Sequence, residues 1–209
     1  TNNQARLVHV NGGGTHTINI ENATFTNNSV KGCGAIFLMD QSNAGNASAI
    51  NVYGGTFTDN ACLLSSTSYG SGSIARLKSP GALHFYGGTF ANNTTAAGKN
   101  YEGIYLRDVS QKLGSNVYVH KLSADLNVYL TPYSAKVFMS RIVVDSALTH
   151  TISVYIADNR VPAKGMPLVV GTDEYKLTEA DLAMVKSANP KATFYLDTEN
   201  NAICIAKAE

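Results

Sequence analysis

Two tyrosines and their polar neighbours are the best candidates for a binding site in this sequence. Tyr53 and Tyr86 occupy the same place in two copies of a short phrase, and Asn51 and His84 take the outward positions beside them. Flat aromatic rings flanked by amides can stack on sugar rings and hydrogen-bond to hydroxyl groups. The alternative is that stacked tyrosines only stabilise the outside of a sheet, where side-chain pairs contribute roughly 0.2–1 kcal/mol each.

Acidic residues that could carry out glycoside hydrolysis are scarce in the repeated half of the chain. Its acids are Glu21, Asp40 and Asp59. Hydrolysis needs two carboxylates facing the same groove, and we expect these three to lie on different faces as solvated turn residues. The aspartate patterns of polygalacturonases and calcium-dependent pectate lyases are missing, so no catalytic residue is assigned.

Histidines and cysteines do not predict a metal centre or a nucleophile. The histidines show no close metal-ligand spacing, and no serine or cysteine forms a recognisable pair with one of them. They are His9, His16, His84, His120 and His150. The three cysteines are an odd count that does not suggest a disulfide framework, and we expect Cys33 and Cys62 to be buried thiols. No cofactor is implied.

The elements that position these residues follow from a phrase that occurs three times, at 18–28, 50–60 and 83–93. Its phenylalanines, Phe25, Phe57 and Phe90, are 32 and 33 residues apart. Repetition at a fixed period indicates a stacked architecture in which each unit buries its apolar face against its neighbours.

Each copy predicts short strands joined by tight corners. Apolar residues alternate with polar ones, which indicates a strand with one buried face. Gly54-Gly55 and Gly87-Gly88 then mark a corner, and a second strand ending in the phenylalanine leads to an asparagine turn and a third strand. We predict an all-β, right-handed parallel β-helix with coils of about 32 residues, rather than an antiparallel sandwich. The phenylalanines should form an internal ladder and the asparagines a ladder at one corner, while loops at 41–48 and 64–72 leave the stack.

The second half loses the phrase but keeps the strands, at closer intervals typical of tighter coils or a sheet that ends the stack. In the tail, Thr178 and Asp181 predict a capping box that opens a helix over 179–187, ended by Asn189-Pro190 and followed by a hairpin. We therefore divide the chain into a β-helix at 1–160 and a small α/β capping segment at 161–209. The alternative is that the tail forms a separate domain.

Composition excludes some partners and favours an extracellular location. The net charge of +1 gives no basic field for nucleic acid. The sequence contains no run of 18 apolar residues, so it predicts no membrane span. Low charge with abundant Asn, Thr, Ser and Gly is usual for extracellular stacked-β proteins. Because the chain opens at Thr1 without an initiator methionine, we expect it to be a piece of a longer exported protein.

One known repeat family resembles these motifs. The Phe-x-x-Asn of Phe25 to Asn28, followed by the Gly-x-Ile of Gly34 to Ile36, resembles repeats of chlamydial polymorphic outer-membrane proteins. It looks even more like the β-helix repeat regions of large cell-surface proteins from Gram-positive gut bacteria. The resemblance implies adhesion or display at the cell surface, with a host or dietary glycan or a surface protein as partner.

Three functions therefore remain open from the sequence. The first is a non-catalytic surface module that binds a ligand through Tyr53, Tyr86, Asn51 and His84. The second is a polysaccharide lyase or glycoside hydrolase of β-helix type, with a site formed by the loops at 41–48 and 64–72. The third is a spacer that has no ligand.

Overall fold

A computed structural model describes most of the chain. The described residues are 7–31, 36–40, 47–63, 72–78, 80–95, 103–108, 110, 113–134, 137–156, 163–189 and 192–207. Cys33 and most of the two loops at 41–48 and 64–72 lie outside them. The described residues are mostly in strands, and the one helix among them is short, which confirms the all-β expectation.

The strands are short and follow one another closely. In chain order they are β1 (Val8–Asn11), β2 (Thr17–Ile20), β3 (Ala23–Thr26), β4 (Ser29–Val30), β5 (Phe37–Asp40), β6 (Ala49–Val52), β7 (Gly55–Thr58), β8 (Ala61–Cys62), β9 (Ala75–Leu77), β10 (Ala82–Phe85), β11 (Thr89–Ala91), β12 (Thr94–Thr95), β13 (Ile104–Arg107), β14 (Asn116–Val119), β15 (Leu126–Thr131), β16 (Arg141–Val144), β17 (Ile152–Ile156), β18 (Pro167–Gly171), β19 (Val185–Ser187), β20 (Ala192–Asp197) and β21 (Ala202–Lys207). The helix α1 (Glu179–Met184) precedes β19.

Four sheets are built from these strands, and successive strands up to β20 go to different sheets. The two long sheets have the orders β1-β5-β9-β13-β15-β17-β19 and β2-β6-β10-β14-β16-β18-β21-β20. The two short sheets are β3-β7-β11 and β4-β8-β12. Among the strands that the structure describes, the pairings up to β19 are parallel, and those of β21 with β18 and β20 are antiparallel. This is a β-helix-like stack, in which the chain visits each sheet in turn.

The repeat unit contains four strands, not the three that the sequence predicts. The additional strand follows the asparagine corner and is only two residues long, as in β4 and β8. Two residues are too few to show an alternating pattern, so the hydrogen-bonded pairing alone reveals them. From β14 to β20 the described strands alternate between the two long sheets, which explains the closer strand intervals.

The phenylalanine and asparagine ladders are both present. Phe25 pairs with Phe57 and Phe57 with Phe90 in the parallel register, and the ring centroids are 5.2 and 4.7 Å apart. Phe57 is fully buried. Inward apolar residues of the long sheets, such as Ile50 and Leu83, join the rings in one hydrophobic core.

The corners need residues that tolerate a positive φ. Gly55 has φ +115°, and a Cβ there would lie 2.3 Å from the carbonyl oxygen of Ala23. At the second corner the outer residues Asn27, Asp59 and Asn92 have φ between 53° and 56°. Asparagine and aspartate are the non-glycine residues that adopt this conformation most readily, so the corner chemistry agrees with the sequence.

The tail continues the two long sheets before it folds back. β18 pairs parallel with β16 and β19 with β17, while β20 and β21 form the predicted hairpin. The capping box of Thr178 and Asp181 is present, but the helix ends at Met184 because Val185–Ser187 pairs with β17 instead. The predicted helix over 179–187 was therefore too long. The boundary between 160 and 161 stays a prediction.

Candidate functional site

The outer face of the eight-stranded sheet carries the sequence-predicted site residues. Their strands β6 and β10 show alternating burial, so inward and outward side chains are separated by one residue. Asn51 pairs in register with Asn19 and His84, and His84 pairs with Tyr118 of the next strand. The parallel register thus brings four outward side chains into one row.

A second row lies directly beside the first, at the residues that follow these strands. Tyr53 stacks on Tyr86 with centroids 4.8 Å apart, and Tyr86 stacks on His120 at 4.0 Å with an interplanar angle of 2°. His84 stacks on Tyr118 at 4.2 Å in the first row. We call these five residues, Tyr53, His84, Tyr86, Tyr118 and His120, the aromatic patch.

Stacking decides which ring faces of the aromatic patch can meet a ligand. Tyr86 has Tyr53 against one face and His120 against the other, so only the edge of its ring and its hydroxyl are accessible. Tyr53 is 47% exposed, and Tyr86 is the one ring among the described residues that stacks on it. On its other side Tyr53 adjoins Glu21, the residue in register with it in the preceding coil. Tyr53 is therefore the most exposed tyrosine of the second row and its terminal ring. The sequence suggested that both tyrosines would offer a face to a ligand.

A hydrogen-bonded chain of three ionisable groups runs through the patch. His84 Nδ1 lies 3.1 Å from His120 Nε2, and His120 Nδ1 lies 2.5 Å from Asp145 Oδ2. If His120 donates its Nδ1–H to the carboxylate, its Nε2 accepts from His84 Nδ1–H. That arrangement leaves Nε2 of His84 as an acceptor.

Burial and charge keep His84 neutral. Partial burial lowers the pKa of His84, the neighbouring His120 lowers it further, and Asp145 opposes both effects. A neutral imidazole at pH 7 is a hydrogen-bonding group rather than a cation. The phenol of Tyr86 also stays neutral, because burial and the nearby Tyr53 and Asp145 raise its pKa.

Amides border the patch on the side of the first coils. Asn51 Nδ2 donates to Asn19 Oδ1 at 2.9 Å. This bond orients one donor and one acceptor across neighbouring strands, and it leaves the other hydrogen of the Asn51 amide and a lone pair of its oxygen for a ligand. Asn51 thus adjoins His84 as expected from the sequence.

Sequence reasoning missed the half of the patch that lies beyond the repeats. Tyr118 lies in β14, and His120 and Asp145 follow β14 and β16, strands that no longer carry the phrase. A usable signal exists, because the alternation in Asn116–Val119 matches that in Ala82–Phe85 and places Tyr118 on His84. Continuing the register by one strand would also have placed His120 beside Tyr86.

The comparisons with known proteins add no relative. No protein-family model matches this chain, and neither the curated proteins nor the solved structures that were searched contain a match.

The acids considered for catalysis lie apart from one another. Asp40 ends β5 in the seven-stranded sheet and pairs with Lys78 Nζ at 3.2 Å. Asp59 lies at the corner between β7 and β8, where it accepts a hydrogen bond from Asn92 Nδ2 at 3.2 Å. Within the described ranges, no three His, Cys, Asp or Glu side chains form a group that could hold a metal ion.

The last observation concerns helices that could span a membrane. In the part of the chain that the structure describes, no helix has the length and apolar character needed to cross a membrane.

Proposed function

We propose that this chain is a non-catalytic module of an exported bacterial surface protein, and that it binds carbohydrate through the aromatic patch. The observation that carries the proposal is the stack of Tyr53, Tyr86 and His120 on an exposed sheet face, with the 47% exposed ring of Tyr53 at the end of the stack. Adhesion to a host or dietary glycan is the corresponding biological role.

The chemistry of the patch suits an uncharged polyhydroxylated ligand. A sugar ring presents a C–H face, which can pack on Tyr53, and hydroxyl groups, which can bond to the phenol of Tyr86, the amide of Asn51 and Nε2 of His84. His84 and Tyr86 are held neutral, so the patch lacks the basic field that an anionic polymer such as nucleic acid would need.

The parallel stack supports such a site by its rigidity. Residues of the patch are fixed by strand register, by ring stacking and by the bond from Asn51 to Asn19. A preorganised surface loses little entropy on binding. We propose that the first three coils form a right-handed β-helix with a period of about 32 residues. We further propose that the module is displayed outside the cell, consistent with its low charge.

A glycan array tests the proposal. Wild-type protein should bind a defined group of glycans, and the double variant Tyr53→Ala/Tyr86→Ala should lose that binding. Tyr133→Ala is the matched control, because Tyr133 is also an exposed tyrosine (44%) but lies outside the patch. Absence of binding to any glycan, or equal loss in the control, would refute the carbohydrate assignment.

A second candidate function is polysaccharide cleavage, favoured by the Asp145–His120–His84 chain. A neutral histidine oriented by a second histidine and a carboxylate can act as a general base. Turnover of a pectic or host polysaccharide that is abolished by His84→Gln, but retained in Asp40→Asn and Asp59→Asn, would favour this enzyme. A chain that neither binds nor cleaves any polysaccharide would be a spacer.

A further inference from the structure

The asparagine ladder repeats one hydrogen-bonding pattern from coil to coil. Asn28 donates from its backbone N–H and from Nδ2 to Asn60 Oδ1, at 3.2 and 2.8 Å. Asn60 donates in the same way to Asn93 Oδ1, at 3.1 and 2.9 Å. Asn28 and Asn60 therefore each donate two hydrogen bonds to the amide oxygen of the next asparagine. All three side chains are buried.

The ladder ends at Asn93 with these two donors unused. Its Oδ1 accepts from Asn60, and one Nδ2 hydrogen goes to the carbonyl oxygen of Phe57 at 2.8 Å. Within the described residues, its backbone N–H and its other Nδ2 hydrogen have no acceptor. At Asn28 and Asn60 the same two donors bond to the amide oxygen of the next asparagine. The two Asn93 donors should therefore point to the position that a fourth amide oxygen would take.

A cavity borders Asn93 at this end of the ladder. Within the described residues, both short sheets end at β11 and β12 whereas the two long sheets continue, so the described strands leave a step there. The step holds a cavity of about 280 Å³ lined by polar and apolar residues, among them Ile74, Phe90, Asn93, Asp125 and Asn127. This volume is near the lower limit for small-molecule sites, enough for one substituent and part of a sugar ring.

The other residues that line the cavity offer suitable contacts for an amide group. Asp125 Oδ1 accepts from the backbone N–H of Thr151 at 2.8 Å, while its Oδ2 has no donor in the described part of the chain and can accept an N–H. Ile74 is buried, and the half-buried ring of Phe90 continues the phenylalanine ladder. The cavity thus offers two donors for a carbonyl oxygen, a carboxylate for an N–H and an apolar wall for a methyl group.

We propose that this cavity binds the acetamido group of an N-acetylated amino sugar. The acetamido oxygen takes the position of a fourth ladder amide and accepts from Asn93 N–H and Nδ2. Its N–H donates to Asp125, and its methyl group packs against Ile74 and Phe90. This site is separate from the aromatic patch and does not depend on it.

Titration of ¹⁵N-labelled protein with N,N′-diacetylchitobiose, followed by two-dimensional NMR and amide hydrogen exchange, tests the assignment. The Asn93 N–H should shift saturably, and its exchange should slow when the sugar binds. The backbone N–H of Asn60, already bonded to Asn93 Oδ1, is the internal control and should keep its exchange rate. The deacetylated disaccharide should cause no saturable shift of Asn93.

Two variants and a second acetamide source complete the test. Asp125→Asn retains an Oδ1 for Thr151 but loses the charged acceptor, and should weaken binding by about tenfold. Tyr133→Ala, which changes an exposed ring outside the cavity lining, should leave this binding unchanged. Lack of a saturable Asn93 shift, equal binding of the deacetylated sugar or of Asp125→Asn, or binding only of an acetyl-lysine peptide would overturn the proposal.

Discussion

Asn60 Nδ2 donates a hydrogen bond to Asn93 Oδ1 at 2.9 Å inside the corner where the two short sheets meet. The two residues are 33 positions apart in sequence, and the bond repeats the one between Asn28 and Asn60. Buried amides that satisfy one another in this way fix the register of successive coils, because a slip of one residue would leave them all unpaired.

Removing the middle of the asparagine ladder should destabilise the fold. Asn60→Ala removes the acceptor of two Asn28 donors and the side-chain donor to the Phe25 carbonyl oxygen, while the backbone N–H of residue 60 still bonds to Asn93 Oδ1. Because the two Asn28 donors stay buried, we expect a loss of about 3 kcal/mol in the free energy of unfolding. Asn19→Ala removes an exposed outward amide and should cost less than about 0.5 kcal/mol. Urea denaturation measures both, and equal stability of the two variants would contradict a structural ladder.

The inner and outer ring stacks should contribute very differently to stability. Phe57 is fully buried between Phe25 and Phe90, and Phe57→Ala should cost about 4 kcal/mol through lost burial and the cavity left behind. Tyr86 is likewise the central ring of three but is 38% exposed, so Tyr86→Ala should cost about 1 kcal/mol. Thermal unfolding of both variants measures the two losses of stability. Similar losses in Phe57→Ala and Tyr86→Ala would place the phenylalanines outside the core.

His84 should titrate below its ordinary pKa of 6.5. Because folding favours the neutral imidazole, its contribution to stability is fully present above pH 6.5 and is lost as the pH falls toward the lowered pKa. NMR titration of the imidazole protons measures this directly. Asp145→Asn removes a raising effect and should lower the pKa of His84 further, whereas His120→Gln should raise it. Shifts in the opposite directions would mean that the three groups are not neighbours.

Asp181 should dominate the acid sensitivity of the tail. Burial alone would raise its pKa, but hydrogen bonds from Leu148, Thr178 and Tyr175 hold the pKa below its ordinary 3.8. The stabilisation is present above pH 3.8 and disappears as the pH falls through the lowered pKa. Asp181→Asn should cost about 2 kcal/mol at pH 7, since its amide nitrogen cannot accept the bonds that Oδ2 accepts.

The surface variant Asp173→Asn is the matched control, because it makes the same change of charge at an exposed position of the tail. The free energy of unfolding is measured between pH 2 and pH 7, a range that spans the ordinary pKa of aspartate. Its decrease toward low pH should become much smaller in Asp181→Asn and should stay unchanged in Asp173→Asn. An unchanged profile in Asp181→Asn would show that other carboxylates control the acid transition.

Much of the structure of the repeated half was predictable because it depends on residues that are close together in the sequence. Alternation and a glycine corner fix the strands around Ile50 and Leu83, and the phrase spacing fixes their register. The two-residue strand Ala61–Cys62 was not predictable, since only its pairing defines it. The early end of α1 at Met184 also depends on a distant partner, because Val185 pairs with Ile152.

The binding site was only half visible in the sequence for a similar reason. Tyr53 and Tyr86 share a place in the phrase, whereas His120 and Asp145 are 25 residues apart, away from the repeat spacing. When the chain stops visiting the short sheets, each passage becomes shorter and the register no longer follows the phrase. Side chains beyond that point can be placed only by extending the sheet strand by strand.

Calorimetric titration with the glycan that binds best on the array tests the central claim, that the exposed ring of Tyr53 receives a sugar ring. Tyr53→Ala should weaken binding by about tenfold or more, as loss of a central aromatic contact does. Tyr133→Ala, with a comparably exposed ring elsewhere (44% against 47%), should bind like the wild type. Wild-type affinity in Tyr53→Ala would contradict the account.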